Sequence, residues 1–161
     1  MSLNRHKNKT LKSINNQLKF ITINEGSHTR IIQYLYKYKV IIKLLEQKEQ
    51  VFKHSKRKIR YVWLETSIYT KMTFARSLWL IQQNKVSHEQ LTREQPIGQS
   101  FIHQKIDIKK NINEIYYCYD KNFEYKSQHK GIIWGRKYTL SLEYTSYIII
   151  QEFFPSNLIH F

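Results

Sequence analysis

Residues 132–154 read IIWGRKYTLSLEYTSYIIIQEFF, and this stretch decides the fold. From Ile132 to Glu143 and again from Tyr147 to Phe154, β-branched and aromatic residues dominate. Such residues suit a pleated surface, and side chains on a strand alternate between its faces. Tyr144 to Ser146 separate the two runs, and so short a connection forces antiparallel neighbours. The stretch therefore predicts a β-hairpin.

Working outward, Ile59 to Tyr69 and Met72 to Gln82 predict a second hairpin turning at Thr70 and Lys71. Val40 opens another strand, running to about Phe52, and Asp107 to Tyr119 predict a sixth. Ser27 is placed to cap a helix over Thr29 to Tyr38, with Ile31, Ile32, Leu35 and Tyr38 on one face. Ser87 to Arg93 reads as a short helix with Gln90 at the capping-box position. Pro96-Ile97-Gly98 then breaks the chain before another short helix near Ser100 to Gln104. Six strands joined mostly by short turns, with helices segregated to the start and middle, predict an α+β domain. Its sheet is single, six-stranded and mostly antiparallel, with flanking helices. Residues 1–17 carry Arg5, Lys7, Lys9 and Lys12 with no acid before Glu25. They read as a basic arm, a transit segment or a first helix, ahead of one domain over 18–161.

Four strands each set one charge in an apolar row. Glu152 shares its face with Ile148, Ile150 and Phe154; Arg60 with Val62 and Leu64; Arg76 with Phe74, Leu78 and Leu80; Arg136 with Trp134, Tyr138, Leu140 and Leu142. A charge in such a row is costly without a partner. The chain has 20 Lys to 7 Arg, yet three of the seven Arg take these positions. Arg offers a planar fork that grips a carboxylate with two parallel hydrogen bonds, which Lys cannot do. The pattern fits a buried pocket for a small, oxygen-rich anion, and it fits equally a structural Arg–Glu pair inside the sheet. Three Arg to one Glu favours the anion.

Composition narrows the classes. The 161 residues are 41% hydrophobic and 14% aromatic, too apolar for a disordered chain. No apolar run is long enough for a transmembrane helix, so no membrane insertion is expected. The single Cys118 excludes an internal disulfide and a thiolate-rich metal site. The net charge is +15, from 27 Lys+Arg against 12 Asp+Glu. Ile and Lys number 22 and 20 while Ala occurs once, the signature of AT-rich coding. Much of the charge is thus attributed to codon drift and not to a polyanionic partner. His88-Glu89 opens like a zincin helix, but Thr92 stands where the second His belongs. Asn8-Lys9-Thr10 matches a glycosylation acceptor, with nothing else indicating secretion. Tyr116, Tyr117 and Tyr119 could stack bases, though half-buried strand aromatics are commoner.

Three stretches together resemble chorismate lyase (chorismate pyruvate-lyase) and its plastid-encoded hypothetical-reading-frame branch. The first is Glu25-Gly26-Ser27-His28-Thr29-Arg30. The second is Arg60-Tyr61-Val62-Trp63-Leu64, followed by Ala75-Arg76-Ser77 and Pro96-Ile97-Gly98. The third is Gly131-Ile132-Ile133-Trp134-Gly135-Arg136, closing with Ile148-Ile149-Ile150-Gln151-Glu152-Phe153-Phe154-Pro155. The resemblance implies a six-stranded antiparallel fold and a lyase that releases pyruvate from chorismate, leaving 4-hydroxybenzoate, a quinone precursor. It implies no metal and no cofactor. By position, Arg60 matches the arginine that binds the ring carboxylate, and Glu152 the glutamate at the ring-oxygen end. His28 and Ile97 match positions offering backbone N–H groups, and the family usually has Met where this chain has His28. Arg60 and Glu152 are the expected catalytic pair. Either Arg76 or Arg136 is expected to hold the enolpyruvyl carboxylate.

The partner expected from the resemblance is thus a small dicarboxylate, chorismate, bound by a monomer with no specific nucleic acid. The expected place is the plastid stroma, or else the cytoplasm of an AT-rich bacterium. Two competing readings are a non-catalytic small-molecule-binding protein of the same fold and a basic nucleic-acid-associated organelle protein.

Overall fold

In the computed structural model, residues 16–66, 70–82, 96–103, 105–142 and 146–158 are described. The elements in chain order are α1 (Asn16–Ile23), α2 (His28–Tyr36), β1 (Val40–Val51), β2 (Ser55–Thr66) and β3 (Lys71–Gln82). Then follow α3 (Ile97–His103), β4 (Ile108–Cys118), α4 (Lys121–Ser127), β5 (Ile133–Leu142) and β6 (Ser146–Pro155). The strands form one sheet in the order β1-β2-β3-β6-β5-β4, with every neighbouring pair antiparallel. It consists of two three-stranded meanders joined where β3 meets β6. The α+β class and the six-stranded antiparallel sheet are as the hairpin patterns predict.

Local chemistry sets the boundaries. Ser27 caps α2, its Oγ accepting from Arg30 N, and Lys37 ends the helix in the left-handed conformation. The β2–β3 turn is closed by Thr66 N donating to Thr70 O at 3.0 Å. Pro96 fixes the start of α3, which begins three residues earlier than the sequence suggests, with Ser100 N donating to Pro96 O. α1 spans the expected boundary between residues 17 and 18. α4 is not anticipated from the sequence. Asp120 caps it by accepting from Phe123 N at 2.7 Å. At seven residues it is too short to show a helical period. The expected helix over Ser87 to Arg93, the His88-Glu89 pair, the Tyr144–Thr145 turn and the Asn8-Lys9-Thr10 site lie outside the described residues.

The two faces of the sheet are covered differently. One face carries Leu64, Trp134 and Phe154, which pack with Ile21 of α1 and Ile32 of α2. Further along that face Trp79, Tyr138, Leu140, Ile148 and Ile150 pack with Phe101 of α3. Each such fully buried aliphatic or aromatic side chain is worth about 1.5–3 kcal/mol relative to exposure. The opposite face carries Trp63, Cys118 and Ile133, which pack with Phe123 of α4. Cys118 is buried there, as expected of a core residue.

On this second face the backbone of Gly135 faces Tyr116 across the β4–β5 ladder. A Cβ at Gly135 would sit 2.1 Å from Tyr116 Cε2 and within 2.8 Å of two more ring atoms. A glycine inside a strand marks this kind of close approach. Gly135→Ala is expected to destabilise the protein by about 1–3 kcal/mol through overpacking. Thermal unfolding checks this, and the double variant with Tyr116→Ala should recover most of the loss.

Candidate functional site

The register decides which charges meet. Arg60 pairs with Ser77, Ser77 with Ile150, and Ile150 with Tyr138. One rung away, Val62 pairs with Ala75, Ala75 with Glu152, and Glu152 with Arg136. These two rows lie on the face covered by α1, α2 and α3. They floor a cavity of about 370 Å³ whose wall is completed by residues 25–30, by Pro96-Ile97-Gly98, and by Lys110 of β4. That volume is in the range of small-molecule sites.

His28, Arg60, Ile97 and Glu152, all expected from the sequence, line this cavity together. Arg60 and Glu152 are separated by β3, a spacing of about 10 Å at two strand widths. They are therefore opposite walls of one space and not a pair.

Two of the expected arginines go elsewhere. Arg136 is 0% exposed and lies behind the cavity wall, where its Nε donates to Glu152 Oε2 at 2.7 Å. Its Nη1 donates to the carbonyls of Ile21 at 2.7 Å and Asn24 at 3.0 Å. This is the structural Arg–Glu pair, and it also ties the end of α1 to the sheet. Arg76 is exposed on the opposite face, over the ring of Tyr61. Neither Arg76 nor Arg136, the two residues expected to hold the second carboxylate, lines this cavity. β3 registers so that its odd-numbered residues share the cavity face with the even-numbered residues of β2.

Glu152 is held as a carboxylate. Burial works to raise its pKa, but the charge of Arg136, helped by Lys110 and by the Arg136 hydrogen bond, outweighs it and brings the value down to about 2. Its second oxygen accepts from the Tyr138 hydroxyl at 2.9 Å. At neutral pH Glu152 can accept a hydrogen bond or a proton, but has none to give.

Lys110 and Tyr138 are the cavity residues that sequence reading missed. Lys110 Nζ donates to the carbonyls of Asn24 and Gly26, each at 3.1 Å, and stands 4.2 Å from the centre of the Tyr138 ring. Burial, then the charge of Arg136, lowers its pKa to about 8. Among 20 lysines nothing in the sequence singles out Lys110. Tyr138 was visible only as one more apolar member of the Arg136 row.

His28 is the first residue of α2 and is buried against Phe154, ring centres 5.4 Å apart. Its Nε2 lies 2.9 Å from Thr73 Oγ1. Burial lowers its pKa to about 4, so the ring is neutral at pH 7. Because the folded value lies below the unfolded 6.5, the unfolded chain binds the proton first. The stability that follows is complete above about pH 6.5 and is lost as pH falls toward 4. Wild-type protein should lose roughly 2 kcal/mol between pH 7 and 5 from this group alone. Urea titrations at the two pH values check this, and His28→Met should abolish the loss.

The cavity thus combines three cations, Arg30, Arg60 and Lys110, with two carboxylates, Glu25 and Glu152. Its interior cations, its size and its aromatic and aliphatic walls suit a small anion with a hydrophobic ring. Among the described residues no cluster of His, Cys, Asp or Glu could hold a metal ion. No described helix is long and apolar enough to cross a membrane.

Comparison with known proteins places these features in a wider set. The family profile described as "Chorismate pyruvate-lyase Rv2949c-like" matches residues 23–161. An "Uncharacterized protein ycf21" of Antithamnion sp. is 36% identical over 154 residues, covering 93% of this chain and 84% of that protein. The protein of the same description from Porphyra purpurea is 36% identical over 104 residues, 63% of this chain and 58% of its own length. That of Cyanophora paradoxa is 28% identical over 146 residues, 84% and 75% respectively.

Proposed function

The chain belongs to the chorismate pyruvate-lyase Rv2949c-like family, and from that premise we propose that the cavity beneath α2 and α3 converts chorismate to 4-hydroxybenzoate and pyruvate. The observation that carries the proposal is the opposition of Arg60 to an ionised Glu152 across one ring-sized space. Arg60 anchors the ring carboxylate with its planar fork. Lys110 attracts the enolpyruvyl carboxylate, the role the sequence pattern gives to Arg76 or Arg136. Glu152 accepts a hydrogen bond at the ring-oxygen end and is kept in that state by Arg136 and Tyr138. The backbone N–H groups of His28 and Ile97, in the first turns of α2 and α3, have no intrahelical partner and are free to meet a carboxylate.

The reaction suits such a site. The ether C–O bond breaks, the adjacent ring carbon loses its proton, and the enolpyruvate methylene gains one to become pyruvate. The ring becomes aromatic, so the step is downhill and asks chiefly for positioning and for stabilisation of charge on the leaving oxygen. A quinone precursor as product and the plastid stroma as location belong to the same proposal. The plastid resemblance of the sequence and the algal relatives support it.

Binding tests the assignment of Lys110. Stopped-flow fluorescence with chorismate, read before turnover, should show one site per chain. Affinity should be full below pH 8 and fall above it, as Lys110 loses its proton. Lys110→Met should weaken binding of chorismate about tenfold, the size of one modest ionic contact, and remove the alkaline decline. A pH-independent affinity in the wild type would exclude Lys110 from the site.

A further inference from the structure

The sheet has a second cavity on its opposite face, under α4, with a volume of about 460 Å³. Six rings line it: Tyr61, Trp63, Phe74, Tyr116, Phe123 and Phe153. They touch in a continuous series. Trp63 is 5.2 Å from Phe123 and 5.4 Å from Phe74, Phe74 is 6.1 Å from Phe153, and Phe153 meets Tyr116 edge-on at 5.5 Å. The rings frame a half-open groove of several hundred cubic ångströms. The shape is built into the backbone, because Gly135 gives up its side chain to let the Tyr116 ring lie against the sheet.

The charges at this cavity are not balanced. Its two acids are both engaged, Asp120 in capping α4 and Glu114 in an ion pair with Lys137 at 3.2 Å. Arg76 and Lys126 also line it, and among the described residues neither has a carboxylate within ion-pair distance. Arg76 instead stands 5.7 Å from the Tyr61 ring, holding its guanidinium at the edge of the aromatic wall. Rings stacked around an opening with a planar cation beside it are complementary to one class of ligand. We propose that this cavity is a second binding site, for a planar aromatic molecule of two or three rings bearing one acidic group. The site is independent of the chemistry assigned to the first cavity.

The probe is 8-anilinonaphthalene-1-sulfonate, a three-ring aromatic with one sulfonate, titrated into folded full-length protein. One probe should bind per chain, with enhanced probe emission and quenching of tryptophan. Arg76→Gln, an exposed position, should weaken it about tenfold, as expected for one charge-assisted contact. The neutral analogue N-phenyl-1-naphthylamine should bind wild type and Arg76→Gln alike. Leu45→Trp, at a half-exposed lining residue, should block both probes, while Arg60→Gln in the first cavity should leave them unchanged. The proposal is overturned if Arg76→Gln and Leu45→Trp bind like wild type, or if Arg60→Gln removes the binding. It is equally overturned if sedimentation shows a dimer that Leu45→Trp dissociates, since a second copy would then fill the cavity.

Discussion

Replacing Arg60 with alanine should reduce kcat/KM for chorismate by about 10²–10⁴-fold while leaving the folded state largely intact. The magnitude follows from the cost of burying a carboxylate without its cationic partner, about 3–5 kcal/mol. Arg60 is 5% exposed on the cavity wall, so a ligand carboxylate brought to it leaves water behind. Arg60→Lys should recover only part of the activity, since an ammonium cannot make the two parallel hydrogen bonds of a guanidinium. Absorbance of 4-hydroxybenzoate gives the rates, and thermal unfolding controls for folding. Near-wild-type turnover in Arg60→Ala would remove this residue from the mechanism.

Glu152 is expected to behave in the opposite way, with a stability effect as large as its effect on activity. Glu152→Gln leaves the guanidinium of Arg136 deeply buried with no carboxylate. Breaking such a pair costs about 3–5 kcal/mol, which lowers Tm by roughly 6–20 °C for a chain of this length. The double variant Arg136→Met/Glu152→Gln should regain most of that loss, because it removes the orphaned charge as well. The same pair makes an acid signature. The folded pKa of Glu152, about 2, lies below the ordinary 4.5, so its contribution is complete above pH 4.5 and is lost as pH falls toward 2. That contribution is roughly 3 kcal/mol and should be absent in Glu152→Gln. The window is distinct from that of His28, which acts between about pH 6.5 and 4.

The contrast between these two charges shows what the chain makes legible and what it hides. Period-two alternation places Arg60, Glu152, Arg76 and Arg136 correctly on a face of their own strands. It does not say which face of one strand joins which face of the next. That depends on register, and β2 and β3 shift register by a bulge at Leu64 and Glu65. A slip of one residue exchanges faces, so Arg76, in a row that reads as apolar as that of Arg60, ends on the other side. Arg136 is on the cavity side but one layer deeper, because Glu152 is its direct cross-strand partner. The family resemblance carried Arg60, Glu152, His28 and Ile97 to one cavity, which alternation alone could not do. Lys110 was hidden by drift, since one useful lysine looks like nineteen others. α4 was hidden by its length, its only sequence signal being Asp120 three residues before Phe123. Through α4 the second cavity was hidden too.

On the proposed function, the first cavity is a catalytic site and not only a binding site. Purified wild-type protein incubated with chorismate, with no added metal or cofactor, tests it most directly by following both products chromatographically. Equimolar 4-hydroxybenzoate and pyruvate are expected, formed well above the spontaneous rate and suppressed in Arg60→Ala. Tight, stoichiometric binding of chorismate with no product above the spontaneous rate would contradict that function and leave the protein a binder on a lyase fold.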